Sequence, residues 1–154
     1  MIALKHVLVP TDFSDSAGVA LKYGKAFAEV SNASLHILHV LEDPLPGWKP
    51  EGHVASVPTI RVNMEEDARR LMDRLLTEAE RQRFRAQVAT TWGYPFVEIV
   101  RYAKVHEIDL IVMGTHGSGP IVQMLMGSVA EKVVRKASCP VLTVRNPEHE
   151  FVMP

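Results

Sequence analysis

Short apolar runs alternate with longer segments of helical periodicity along the whole chain. His6-Val7-Leu8-Val9 is β-branched and closed by Pro10, and Ser16 to Ser31 carries Ala17, Ala20, Leu21, Phe27 and Ala28 at helical spacing. Gly24 falls on that stripe, which points to close backbone packing there. Ser34 to Leu41 is a second apolar run. A Pro/Gly-rich stretch, Glu42 to Thr59, is too long for a plain connector. One long helix is expected from Ile60 to about Arg83. Its apolar stripe is Met64, Ala68, Leu71, Met72, Leu75, Leu76 and Ala79, and Glu65-Arg69 and Glu66-Arg70 lie at i,i+4 on the solvated face. Ala86 to Thr91 reads as a less apolar edge strand. Pro95 opens a helix that buries Phe96, Ile99, Val100 and Ala103. Asp109 to Met113 reads as a strand buried on both faces. Gly127-Ser128 opens a last helix through Ala137, and Pro140 to Val144 is the fifth strand.

This βαβαβαβαβ pattern predicts an α/β fold: one three-layer domain over residues 1–146, a five-stranded parallel sheet with helices on both faces, and a tail over 147–154. In such sheets ligands sit beyond the carboxyl ends of the strands, where strand order reverses. Function is therefore expected in the loops after strands one and four.

Composition narrows the class. The 154 residues suit a single core that needs no cross-links. Net charge is −1, so bulk charge does not draw the chain to nucleic acid or an anionic membrane. The single Cys139 excludes an internal disulfide framework or a multi-cysteine zinc site, and reads as a small buried residue near a strand start. No apolar run approaches the roughly 20 residues of a membrane span. The opening residues carry neither a basic segment nor a cleavage site, and a cytoplasmic location is expected.

The most specific feature follows strand four: Gly114-Thr115-His116-Gly117, nine residues from Ser118 to Met126, then Gly127-Ser128 at a helix start. Glycines let backbone amides approach an anion. A helix N-terminus adds unpaired N–H groups and a favourable dipole. The spacing G-x2-G-x9-G-S therefore reads as a phosphate cradle, with His116 and Ser118 as further loop contacts. The competing structural reading is turn chemistry at Gly114 and a capping box, Ser128-x-x-Glu131. No lysine lies between Gly114 and Ser128, so the loop is not of the Walker type. Its composition suits holding a nucleotide more than fast phosphoryl transfer.

The glycine pattern, the opening Val7-Leu8-Val9-Pro10-Thr11-Asp12-Phe13-Ser14, the run Asp109 to Gly114 and the terminal Cys139-Pro140-Val141 together resemble the universal stress protein family, in its ATP-binding branch. The resemblance spans the chain. It implies strand order 3-2-1-4-5 and a homodimer paired through the last strand, around Val141 to Val144. It also implies a nucleotide site of Pro10, Thr11, Asp12, Val40, Met113, Gly114, Gly117, Gly127, Ser128 and Val129. Asp12 lies near the adenosine, with Pro10 and Thr11 on the same wall and Val40 against adenine. Met113 and Gly114 lie beneath the nucleotide. From residue chemistry alone, Asp12 suits ribose hydroxyls or a nucleotide-borne Mg²⁺, and an Asx-type turn is its structural alternative.

Histidines give no metal pattern. His36 and His39 point to opposite faces of one strand, and His6, His53, His106 and His149 have no spaced partner. The protein itself is expected to supply no metal site. The function expected is that of a stress-response regulator binding ATP, or ADP or AMP, with at most slow hydrolysis and no assigned catalytic residue. One alternative is a nucleotide-free dimeric scaffold. Another is an ATP-using enzyme of a related fold, from which Pro10-Thr11-Asp12-Phe13-Ser14 departs in lacking an S-G-G-x-D-S loop. A flavodoxin-like carrier is weaker, for want of an aromatic pair at the site.

Overall fold

Five strands pair in parallel in the order β3-β2-β1-β4-β5. The structure, a computed structural model, describes residues 2–44, 56–115 and 126–145. Along the chain run β1 (His6–Pro10), α1 (Asp15–Ser31), β2 (Ser34–Leu41), α2 (Ser56–Asp73), α3 (Glu78–Arg83), β3 (Gln87–Trp92), α4 (Pro95–Val105), β4 (Leu110–Gly114), α5 (Ser128–Lys136) and β5 (Val141–Val144). The expected α/β architecture and strand order are both observed, with β3 at an edge.

The period-2 alternation of the strands sorts side chains into two apolar layers. Val7, Val9, Leu35, Ile37 and Val112 face Ala20, Leu21 and Ala28 of α1 and Met72 of α2. Leu8, Leu38, Ile111 and Met113 face Ile99 and Ala103 of α4 and Ala130 and Val133 of α5. Helices thus cover both faces, and β4 is buried on both sides, as its unbroken apolar run requires. Asp109, just before β4, takes the backbone N–H of Lys5 at 2.7 Å and of His6 at 2.9 Å. That carboxylate ties the start of β4 to the start of β1.

The single helix expected over Ile60–Arg83 is two helices. The first ends at Asp73, and after a turn over 74–76 Thr77 starts the second: its hydroxyl accepts from the Glu80 N–H and the Glu80 carboxylate accepts from the Thr77 N–H, a reciprocal capping box that begins α3. The Thr77-x-x-Glu80 signature was present in the sequence, masked by an apolar stripe that runs through it. The expected i,i+4 pairs on α2 also differ. Glu65 accepts from the Trp92 indole N–H at 2.6 Å, and Arg70 pairs with Asp67.

Gly24 shows the close packing expected of it. A Cβ there would lie 2.3 Å from Val9 Cγ2, and Val9 is fully buried and β-branched, with little freedom to yield. Gly24→Ala should destabilise the protein by about 1–3 kcal/mol through overpacking between α1 and β1. A lowered urea midpoint with an unchanged m-value checks this.

The histidines depart from expectation. His6 and His106, unrelated in spacing, converge on buried His36, with ring centroids 5.5 and 5.7 Å away. His36 Nε2 lies 3.2 Å from Ser34 Oγ, and His6 Nδ1 lies 2.7 Å from the same oxygen. The Ser34 hydroxyl also lies 3.3 Å from the Lys5 carbonyl, and His36 Nδ1 lies 3.1 Å from the Tyr102 hydroxyl. Both His36 ring nitrogens thus have a hydroxyl partner, which the neutral ring can match in either tautomer. Burial, then the nearby His6 and His106, lower its pKa from 6.5 to about 4.

Between those values the unfolded chain binds a proton at His36 that the native chain refuses. Its stabilising contribution is full above pH 6.5 and is lost as pH falls toward about 4. The loss amounts to roughly 3 kcal/mol over that window. Denaturant melts at pH 7 and pH 4.5 should show it, and His36→Gln should flatten the dependence. An equal loss in the variant would assign the acid sensitivity elsewhere.

Candidate functional site

Strand order reverses between β1 and β4, whose carboxyl ends lie side by side at the sheet centre. β1 pairs with β2 on one side and with β4 on the other, with Leu8 opposite Ile111. The chain leaves β1 toward α1 on one face and leaves β4 toward α5 on the other. That divergence opens the crevice in which α/β sheets take ligands.

The β1–α1 loop is held tightly. The Thr11 N–H donates to the Leu38 carbonyl at 2.9 Å. Thr11 Oγ1 accepts from the Phe13 N–H, and Asp12 Oδ1 accepts from the Ser14 N–H at 3.0 Å. Asp12 thus makes the Asx-type turn that was its structural alternative, with the residue still exposed beside the crevice. Ser14 then caps α1 by accepting from the Ala17 N–H at 3.2 Å. Pro10 is buried at the strand end, and Thr11 is half-buried.

Beyond β4 the backbone at Gly114 abuts α1. A Cβ at Gly114 would lie 2.4 Å from Ser16 Oγ and 2.9 Å from the Ser16 backbone, so only glycine fits without moving the helix. Met113 is buried beneath. The Thr115 N–H donates to the Val144 carbonyl at 3.0 Å. The Thr115 carbonyl in turn accepts from the Gly127 N–H. That bond brings the first and last glycines of the pattern to one place. His116, Gly117 and Ser118 lie outside the described residues, as do His53 and His149.

The Gly127 amide is spent on Thr115 and does not face outward as a free donor. Gly127, not Ser128, is the N-cap of α5, with φ −63° and ψ 153° and no side chain to cap the helix. The capping box read at Ser128 and Glu131 does not form: Ser128 is the first helical residue, and Glu131 pairs with Arg135. The first-turn amides of Ser128 and Val129 therefore have neither an intrahelical acceptor nor a capping side chain. Ser128 is exposed and Val129 half-buried. Such a start is suited to an anion. Val40 is half-buried near the end of β2, opposite Thr91.

Two residues that sequence reasoning passed over belong to this neighbourhood. Ser16 is buried, and its Oγ makes no hydrogen bond. His39 reaches from β2 to the β1–α1 loop, with Nδ1 2.8 Å from the Thr11 carbonyl. Neither contact has a local sequence signal, since each joins residues distant in the chain. Among the described residues, no group of three or more His, Cys, Asp or Glu side chains is arranged to hold a metal ion. No helix among them is long and apolar enough to cross a membrane.

Comparison with known proteins agrees with this architecture. The model of the universal stress protein family matches residues 3–145. Universal stress protein MJ0577 of Methanocaldococcus jannaschii is 31% identical, over 94% of this chain and 96% of that one. Universal stress protein YxiE of Bacillus subtilis is 30% identical, over 90% and 97%. The solved structure of MJ0577 covers 96% of this chain and 100% of its own, with a TM-score of 0.83 and 32% identity. A universal stress protein solved in complex with cAMP covers 94% and 98%, with a TM-score of 0.60 and 26% identity. With its five parallel strands in the order 3-2-1-4-5 and a family match over nearly its whole length, the chain belongs to the universal stress protein family.

Proposed function

We propose that this protein binds an adenine nucleotide, ATP foremost, in the crevice between β1 and β4, and acts as a stress-response regulator. The observation that carries the reading is the Thr115–Gly127 hydrogen bond, which joins the two ends of the glycine pattern at the uncapped start of α5. A relative 26% identical was solved with cAMP, which supports an adenine nucleotide as the ligand class.

In this reading the phosphates meet the amides of Ser128 and Val129, with Gly117, His116 and Ser118 contributing from the loop. Gly114 and Gly127 keep the floor free of side chains. Pro10, Thr11 and Val40 wall the adenosine, with Met113 beneath it. Asp12 accepts from ribose hydroxyls or meets a Mg²⁺ carried by the phosphates. Among the described residues we assign no general base, and in this reading hydrolysis is slow at most. The protein works in the cytoplasm as a homodimer joined through β5, whose Val141, Leu142 and Thr143 are half-buried at the sheet edge.

Calorimetry and thermal melting with ATP and Mg²⁺ test the ligand. At about 100 times Kd the melting temperature should rise by roughly 5–10 °C. Gly127→Val, which puts a branched side chain at the helix start, should abolish most of that rise. No heat and no shift at millimolar ATP would remove the nucleotide from the reading. For assembly, sedimentation should give twice the 17.2 kDa chain mass, reduced to the monomer by Leu142→Lys on β5. A monomeric parent chain would remove the dimer.

A further inference from the structure

The loop between β1 and α1 contains a backbone feature that needs an explanation. Phe13 has φ +64°, the left-handed region, although it carries a full side chain. Residues with a Cβ hold this conformation only where the surroundings impose it. The turns within the loop account for part of this: Phe13 and Ser14 donate their N–H groups to Thr11 Oγ1 and Asp12 Oδ1. Those are short-range bonds within the loop; toward the sheet, the Thr11 N–H bonds the Leu38 carbonyl at 2.9 Å and Phe13 packs against the core.

His39 adds a side-chain hold from the neighbouring strand, at the Thr11 carbonyl that the Leu38 bond leaves open. Its Nδ1 lies 2.8 Å from the Thr11 carbonyl, an oxygen that can only accept, so Nδ1 carries the proton and donates. Its ring also lies against Phe13, with centroids 4.5 Å apart and planes tilted by 41°. One side chain therefore grips the loop at Thr11 and at Phe13, on either side of Asp12. His39 also directly precedes Val40 on β2.

We propose that His39 is a positioning residue of the nucleotide site, holding the β1–α1 loop through the Thr11 carbonyl and the Phe13 ring so that Asp12 stands at the crevice. This rests on the nucleotide reading for its functional half. The loop-holding half stands on geometry alone.

Two substitutions separate the contacts. His39→Asn keeps an N–H donor at the same place along the side chain and loses the ring. His39→Phe keeps the ring and loses the donor. Two measurements on the full chain read the outcome: ATP affinity by calorimetry, and amide hydrogen exchange at Phe13 and Ser14, with Val7 and Ile37 in the sheet reporting any global opening. His39→Phe should weaken ATP binding about tenfold, as loss of one directed hydrogen bond does. It should speed exchange at Phe13 and Ser14 while Val7 and Ile37 stay protected. His39→Asn should remain within about threefold of the parent on both measures, since the donor is the main anchor.

Parent-like behaviour of His39→Phe in both measurements overturns the proposal, as does an Asn variant as impaired as the Phe variant. If the parent takes up no ATP while the exchange contrast holds, the nucleotide reading fails and the loop-holding role survives. If ATP binds and the variants do not differ in exchange, the positioning role fails and the nucleotide reading survives.

Discussion

The pairing of β4 against the free side of β1 is the constraint on which the rest of the molecule depends. β1 is already bound to β2 along its length, so β4 must take the opposite edge. A right-handed crossover then carries the chain over one face between β1 and β2 and over the other between β4 and β5. The two central strands deliver their next segments to opposite faces, and their ends are left facing a gap. Pro10, Thr11 and Asp12 at the end of β1 and Met113 and Gly114 at the end of β4 stand at that gap. The N–H groups of Lys5 and His6 held by Asp109 secure the same pairing from the other end of the strands.

The two ends of the sheet consequently serve different purposes. At the amino end, His6, Ser34, His36 and Tyr102 form a connected hydrogen-bond chain. That is a stabilising arrangement that depends on neutral imidazole. At the carboxyl end, polar groups are less completely matched. Ser16 Oγ is buried without a partner against Gly114, and α5 begins without a cap. A buried unmatched hydroxyl costs about 1–3 kcal/mol. The tight approach of α1 to β4 that leaves Ser16 there also holds the end of β4 close against the start of α1.

Periodicity and punctuation made the architecture legible before any coordinates. The β2 boundaries, the edge position of β3, Pro95 at the start of α4 and the packing at Gly24 all follow from local chemistry written in the chain. What escaped has a common physical character. The break between Asp73 and Thr77 is followed by a reciprocal side-chain bond that starts a new helix, and it competes with a continuing apolar stripe that by itself satisfies no helix end. Ser128 invited the opposite error: the capping signature was there, but Gly127 occupies the cap position, so the serine enters the helix. The meeting of His6 with His36 and the grip of His39 on Thr11 follow from the β1–β2 pairing, and His106 reaches His36 from the end of α4. They join residues that only the completed sheet brings together.

The glycine loop illustrates how far a motif alone can be trusted. Its spacing correctly joins two places that meet in space, yet the amides are not all donors to a ligand. The Gly127 N–H closes onto Thr115, and Thr115 onto Val144, so two of the gathered amides stabilise the loop base. Among the described residues of the motif, the amides left without an intrahelical or capping acceptor are those of the first turn of α5. The sequence from Gly114 to Ser128 contains neither lysine nor arginine. A site built on amides and a helix dipole offers partial charges that are fixed in place and modest in size. Those suffice to hold a phosphate in its ground state. They lack the full positive charges that phosphoryl-transfer enzymes bring to the developing charge of the transition state. In the proposed reading, the composition that suits binding does not favour rapid turnover, and the protein's state is set by occupancy.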